Sequence, residues 1–227
     1  MDPVVVPTPV GDARVHVVRA SRPRALVVLG HGAGRGTDTA DLLGLARDLP
    51  GERVSVALVD QPWVLAGRKV ATAPPTLDRA WVAVLEGIRP LAGASARLPI
   101  VVGGRSAGAR VACRTAGEVG AAAVLLLAFP LVPPAARADA DKHAAALQKR
   151  RPELTAPSRL GLPTVVAQGE RDTFGTPAEL RDLLRRVPGA SVVAVPGADH
   201  SLRSTAADPA PLLLEAALRA VAGARGE

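Results

Sequence analysis

Short, nearly unbroken apolar runs, separated by longer alanine- and leucine-rich stretches, constrain this chain more than any other feature. Val15–Val18, Ala25–Leu29, Val54–Val59, Ile100–Val102, Ala123–Leu127, Thr164–Ala167 and Val192–Val195 read as strands. Most are apolar throughout, the pattern of strands covered on both faces of a parallel sheet. Between them, Asp41–Leu49, Leu77–Leu91, Ala107–Ala116, Ala178–Val187 and Pro211–Ala222 read as helices. Leu77, Trp81, Val84, Leu85 and Ile88 fall at helical spacing, and Asp208-Pro209 supplies a capping and proline-start signal for the last helix. Repeated strand–helix alternation predicts an α/β fold with a mostly parallel sheet, helices on both faces and right-handed crossovers.

No composition break or internal repeat divides the 227 residues, so one domain over 1–227 is expected. A domain of this size buries roughly 70% of its unfolded surface and needs no staple. The single cysteine, Cys113, excludes an internal disulfide framework and a thiolate zinc cluster. Leu131–Leu162 is the irregular piece: prolines, a polar helix around Asp139–Arg150, then Pro152 and Pro157. It reads as a partial cover for a site, too short for a domain of its own.

The net charge of +7 invites a nucleic-acid reading, but 25 of the 28 basic residues are arginines scattered along the chain. The densest clusters, Arg150-Arg151 and Arg185-Arg186, are pairs, and an aromatic content of 2% offers no stacking platform for bases. Nucleic acid is therefore not an expected partner. Met1-Asp2-Pro3 carries no basic leader, and Pro130, Pro133 and Pro134 interrupt the uncharged stretch Val119–Ala136 well short of a membrane span. The expectation is a soluble, cytoplasmic protein that engages no membrane.

Gly104-Arg105-Ser106-Ala107-Gly108 fits G-x-S-x-G. Chance yields about 0.07 such matches in a chain this rich in glycine, so the setting carries the signal. The motif follows the strand Ile100–Val102 and opens the helix Ala107–Ala116, the strand–turn–helix context of a nucleophile elbow. A serine hydroxyl needs a base beside it. Of four histidines, His16 sits within an early strand, His143 lies on the polar helix, and His31 precedes the serine. His200, in Gly197-Ala198-Asp199-His200-Ser201, follows the last strand, where open α/β sheets place their sites, and is the expected base. The orienting acid belongs between serine and histidine in chain order. Strand Thr164–Ala167 runs into Gln168-Gly169-Glu170-Arg171-Asp172, and Asp172 is the better placed carboxylate, with Glu170 its competitor. Gly30-His31-Gly32-Ala33-Gly34 follows the strand Ala25–Leu29 and reads as an oxyanion loop, its Ala33 amide pairing with that of Ala107. A phosphate-cradling loop is the alternative, but Gly30–Gly36 lacks the lysine such a loop uses. His31, Trp63, Phe129 and Phe174 follow strand ends and are candidates for the substrate pocket. Asp60, also at a strand end, reads as a turn residue.

With these residues in order, the chain resembles an α/β-hydrolase, most like the branch related to dienelactone hydrolases. It is closer still to the testis-expressed and chromatin-complex-subunit hydrolase-like proteins. The resemblance is carried by Leu29-Gly30-His31-Gly32-Ala33-Gly34, Asp60-Gln61-Pro62-Trp63, Gly103-Gly104-Arg105-Ser106-Ala107-Gly108-Ala109-Arg110, Gln168-Gly169-Glu170-Arg171-Asp172 and Asp199-His200-Ser201. Dienelactone hydrolases carry cysteine at the elbow; here it is Ser106, and Cys113 falls on the following helix. The resemblance implies a serine hydrolase acting on a small acyl substrate, such as a carboxylic ester, without metal or organic cofactor. Relatives that act as assembly subunits make a non-catalytic binding or scaffold protein the alternative.

Overall fold

The computed structural model describes residues 3–68, 70–92 and 97–227. Met1, Asp2 and Lys69 lie outside the described residues, and with them the leader-free start read from the first two. Among the described residues, eight strands form one sheet in the order β1-β2-β4-β3-β5-β6-β7-β8. They are β1 (Val4–Val6), β2 (Ala13–Val18), β3 (Ala25–Gly30), β4 (Val54–Asp60), β5 (Ile100–Arg105), β6 (Ala123–Leu127), β7 (Thr164–Gly169) and β8 (Ala190–Val195). β1 and β2 pair antiparallel at one edge; every pairing from β4 to β8 is parallel.

Alternation along the central strands sends side chains to two separate cores. Val28, Val102, Leu126 and Val166 face one, and Val27, Val101, Leu125 and Val165 face the other. Helices α1 (Ala40–Asp48) and α7 (Ala210–Arg225) close the second face. The first is closed by α3 (Pro74–Leu91), α4 (Ala107–Thr115), α5 (Ala140–Arg159) and α6 (Pro177–Leu184), with the short α2 (Pro62–Leu65) at its edge. The stripe Leu77, Trp81, Val84, Leu85 and Ile88 of α3 is buried, each side chain contributing about 2 kcal/mol of transfer free energy.

Three elements depart from the sequence reading, among them the single-turn α2, too short to show a helical period. β1 escapes it because three exposed or half-buried valines at a sheet edge carry no alternation to detect. Helix α5 runs through Pro152 and Pro157 to Arg159, although each interior proline removes a hydrogen bond and crowds the preceding turn. Tertiary contacts override that cost. Leu154 is fully buried, and Glu153 accepts from Arg110 of α4 at 2.9 Å, from Arg114, and from Arg150 at 3.0 Å. Arg114 also grips Asp78 of α3 at 2.6 and 2.7 Å. Helix α5 thus packs on α4. Among the described residues, no helix is long and apolar enough to cross a membrane.

Candidate active site

The turn from β5 into α4 is forced by close packing. At Gly104, with φ at +154°, a Cβ would sit 2.4 Å from the Gly30 carbonyl oxygen; at Gly108 it would sit 2.6 Å from the Gly30 carbonyl carbon. Only glycine lets the elbow press onto β3 this way. Ser106, between them, has φ 52° and ψ −107°, a conformation that L-residues seldom adopt and that marks stored strain. Its amide donates to the Leu127 carbonyl at 2.9 Å, and its hydroxyl stands at the carboxyl end of the sheet.

Loops after β7 and β8 bring Asp172 and His200 to that hydroxyl. Ser106 Oγ lies 3.0 Å from His200 Nε2, and His200 Nδ1 lies 2.8 and 3.0 Å from the two oxygens of Asp172. An Nδ1–H donated to the carboxylate leaves Nε2 free to accept the serine proton. Asp172 is buried, and it also accepts from the Phe174 amide and from Gln168 Nε2, each at 2.8 Å. The Phe174 ring stacks on His200 with centroids 4.2 Å apart. Glu170 instead points to the surface and accepts from the Gly197 amide at 3.0 Å. Asp199 caps its own loop, accepting from the Ser201 and Arg203 amides.

Gln168 is a member of this site that the sequence reading passes over. Its buried amide accepts from the Phe129 amide and donates to Asp172 and, at 2.7 Å, to the Gly175 carbonyl, so it holds both ends of the acid loop. A glutamine ending an otherwise apolar strand was the available signal.

Among the described residues, the Ala33 and Ala107 amides donate to no protein acceptor. The two residues share the walls of a narrow cavity of about 10 Å³, the space of a single water, with His31, Trp63, Leu77 and Trp81. Trp63 therefore stands beside the glycine-rich 30–34 loop, edge-on to His31 at 5.3 Å. One pocket expectation is corrected. Phe129 is fully buried within the sheet core, its chain direction after β6 turning the ring inward. His31 is buried with both nitrogens engaged: Nδ1–H donates to the Gly32 carbonyl at 2.8 Å, and Nε2 accepts from the Gln61 amide at 3.0 Å. Burial lowers its pKa, which suits a neutral ring tying the 30–34 loop to the turn after β4. Asp60 anchors the far end of that loop. It accepts from the Thr37 amide at 2.7 Å, from Arg14 at 2.8 and 3.0 Å, and contacts His16 at 3.3 Å. Burial pushes its carboxyl up, but the Arg14 and Thr37 bonds outweigh that and hold it below the usual carboxylate range. Cys113 is buried on α4, and burial drives its thiol pKa far upward.

A family model described as an alpha/beta hydrolase domain matches residues 23–222. The chain therefore belongs to the alpha/beta hydrolase family, and its fold is that of an α/β-hydrolase without a large cap. A search of the curated proteins finds no match. Among solved structures, Est1E from Butyrivibrio proteoclasticus is similar with a TM-score of 0.74 at 12% identity, covering 98% of this chain and 100% of the other. XC6422 from Xanthomonas campestris, an α/β serine hydrolase without lid, has a TM-score of 0.69 at 19% identity over 99% of this chain and 94% of the other. A dienelactone hydrolase from Anabaena variabilis has a TM-score of 0.67 at 19% identity, over 96% and 94%.

Proposed function

We propose that the protein is a serine hydrolase that cleaves a carboxylic ester or related acyl substrate through an acyl-enzyme intermediate. The observation that carries this reading is the continuous hydrogen-bonded line from Asp172 through His200 to Ser106, beside two amides with no acceptor among the described residues. Ser106 Oγ attacks the acyl carbon and passes its proton to His200 Nε2. Asp172 holds the ring and stabilises the imidazolium, while the Ala33 and Ala107 amides receive the oxyanion. The tetrahedral intermediate expels the leaving-group oxygen, which takes the proton from His200. Water then attacks the acyl-serine by the same steps in reverse order, releasing acid and free Ser106. Trp63 and Phe174 border the substrate, the first beside the oxyanion donors and the second against the base.

The finer resemblance to testis-expressed and chromatin-complex-subunit proteins belongs to this reading as well. The matched relatives named as serine hydrolases support the catalytic branch of it. The test is turnover of 4-nitrophenyl acetate by wild type and Ser106→Ala, with circular dichroism confirming both folds. Hydrolysis lost in Ser106→Ala supports the reading; equal rates in the two proteins defeat it.

A further inference from the structure

Arg105, the variable position of the elbow motif, has a buried side chain that the proposed chemistry does not use. Its guanidinium reaches three separate elements on the α1–α7 face of the sheet. Nη1 donates to the His200 carbonyl at 3.4 Å, and Nε, which makes no hydrogen bond, lies at ion-pair distance, 3.8 Å, from Oδ2 of Asp41 on α1. Nη2 rests on Gly32 of the oxyanion loop so closely that a Cβ there would stand 2.9 Å from it. The Asp41 side chain is 1% exposed, and both its oxygens lack any hydrogen-bond partner. A buried carboxylate without hydrogen bonds is costly unless a cation stands nearby, and Arg105 is the cation beside this one.

The His200 loop has reason to need such a tether. Leu202, Arg203 and Ser204 roof a cavity of about 400 Å³ whose floor is formed by α1 and α7. Leu202 anchors the loop through its buried side chain, whereas Arg203 and Ser204 border open space, so the height of the His200 backbone depends also on the loop's polar contacts.

We infer that Arg105 is a positioning residue. Held by Asp41, it braces the oxyanion loop at Gly32 and the base loop at the His200 carbonyl. The residue preceding the nucleophile thereby sets the spacing between oxyanion donors, serine and base. Three parts of the site are locked together by one side chain in the same turn as Ser106. Arginine suits the task because its planar fork serves several directions at once, which a lysine ammonium cannot do from one position.

This inference rests on the serine hydrolase reading, and the experiment separates the two. Wild type, Arg105→Met, Arg105→Lys, Asp41→Asn and the double variant Asp41→Asn/Arg105→Met are compared in 4-nitrophenyl acetate turnover and in the rate of fluorophosphonate labelling. Amide hydrogen exchange is followed over residues 199–204. A displacement of about 1 Å at such a site costs about 10²-fold. Arg105→Met is expected to lower kcat and labelling rate on that scale with KM nearly unchanged, and to speed exchange in the His200 loop. Arg105→Lys should recover part of the loss, and added methylguanidine should rescue Arg105→Met. Asp41→Asn should cost less, and the double variant no more than Arg105→Met alone, since Asp41 acts through Arg105. Wild-type rates and exchange in Arg105→Met overturn the inference, as does a loss confined to KM or strict additivity in the double variant. Should Arg105→Met fail to fold, Arg105→Lys and Asp41→Asn decide: both at wild-type kcat and exchange overturns it. An unlabelled wild type defeats the hydrolase reading instead, while exchange over 199–204 still reports on the tether.

Discussion

The elbow between β5 and α4 is held against β3, and the outer helix α5 against α4, by opposite means. At the elbow, backbone meets backbone, and Gly104 and Gly108 leave no room for a side chain. Along α5, charged side chains make the contact, with Glu153 gathering Arg110, Arg114 and Arg150. Steric necessity leaves its mark as a glycine at a fixed place. An ion-pair network leaves only scattered charges, indistinguishable in sequence from a solvated surface. The first kind of region carries the proposed chemistry because it tolerates no drift, and the second supports it from behind.

The comparison breaks most sharply at the acid. Asp172→Asn should retain the fold yet lower ester turnover by as much as about 10⁴-fold, because the amide can favour the ring tautomer that cannot accept the serine proton. Glu170→Gln, at the surface of the same loop, should leave turnover near wild type. Assays of both variants, with circular dichroism, decide the assignment; a crippled Glu170→Gln beside a nearly normal Asp172→Asn would reverse it.

Stability separates the two regions next. Gly104→Ala forces a Cβ against the Gly30 carbonyl in a backbone region unsuited to L-residues, and should cost about 3 kcal/mol together with turnover. Glu153→Gln should cost about 1–2 kcal/mol, since its three arginines are each about a fifth exposed and water screens what the pair loses. Turnover per folded molecule should not change. Urea unfolding midpoints and specific activity together measure both outcomes.

Acid pH sharpens the contrast further. Burial pushes the Glu153 carboxyl up, but its bonds to Arg110 and Arg114 prevail and hold it below its ordinary value. A carboxylate depressed in the folded state adds stability above its unfolded pKa, about 4.3, and that stability is lost as pH falls through the lower folded value. Unfolding free energy should therefore decline with acid below about pH 5, and less steeply in Glu153→Gln. An unchanged slope would mean that the network contributes nothing. The smallest effect belongs to Cys113: burial keeps the thiol protonated, so Cys113→Ala should leave turnover and labelling unaltered.

What could be read from the sequence follows the same division. Seven strands, the elbow, and the meeting of Ser106, Asp172 and His200 were legible because buried parallel strands are apolar runs and tight turns demand glycine. The extent of α5 was not, since local rules stop a helix at Pro152 and only Leu154 and the Glu153 network carry it onward. Gln168 and Arg105 were missed for a related reason. Each acts through carbonyls and carboxylates that lie far away in the chain, and no spacing rule links them. Phe129 follows a strand end as the pocket candidates do, but its side chain turns into the core.

Fluorophosphonate labelling tests the central claim most directly, because the probe reacts with a serine that has both a base and an oxyanion site. A single covalent adduct is expected on Ser106 of the folded wild type, read by mass spectrometry of the intact protein and its peptides. The adduct should vanish in Ser106→Ala and persist in Cys113→Ala. Correctly folded wild type that takes up no label, or carries it on another residue, contradicts the account.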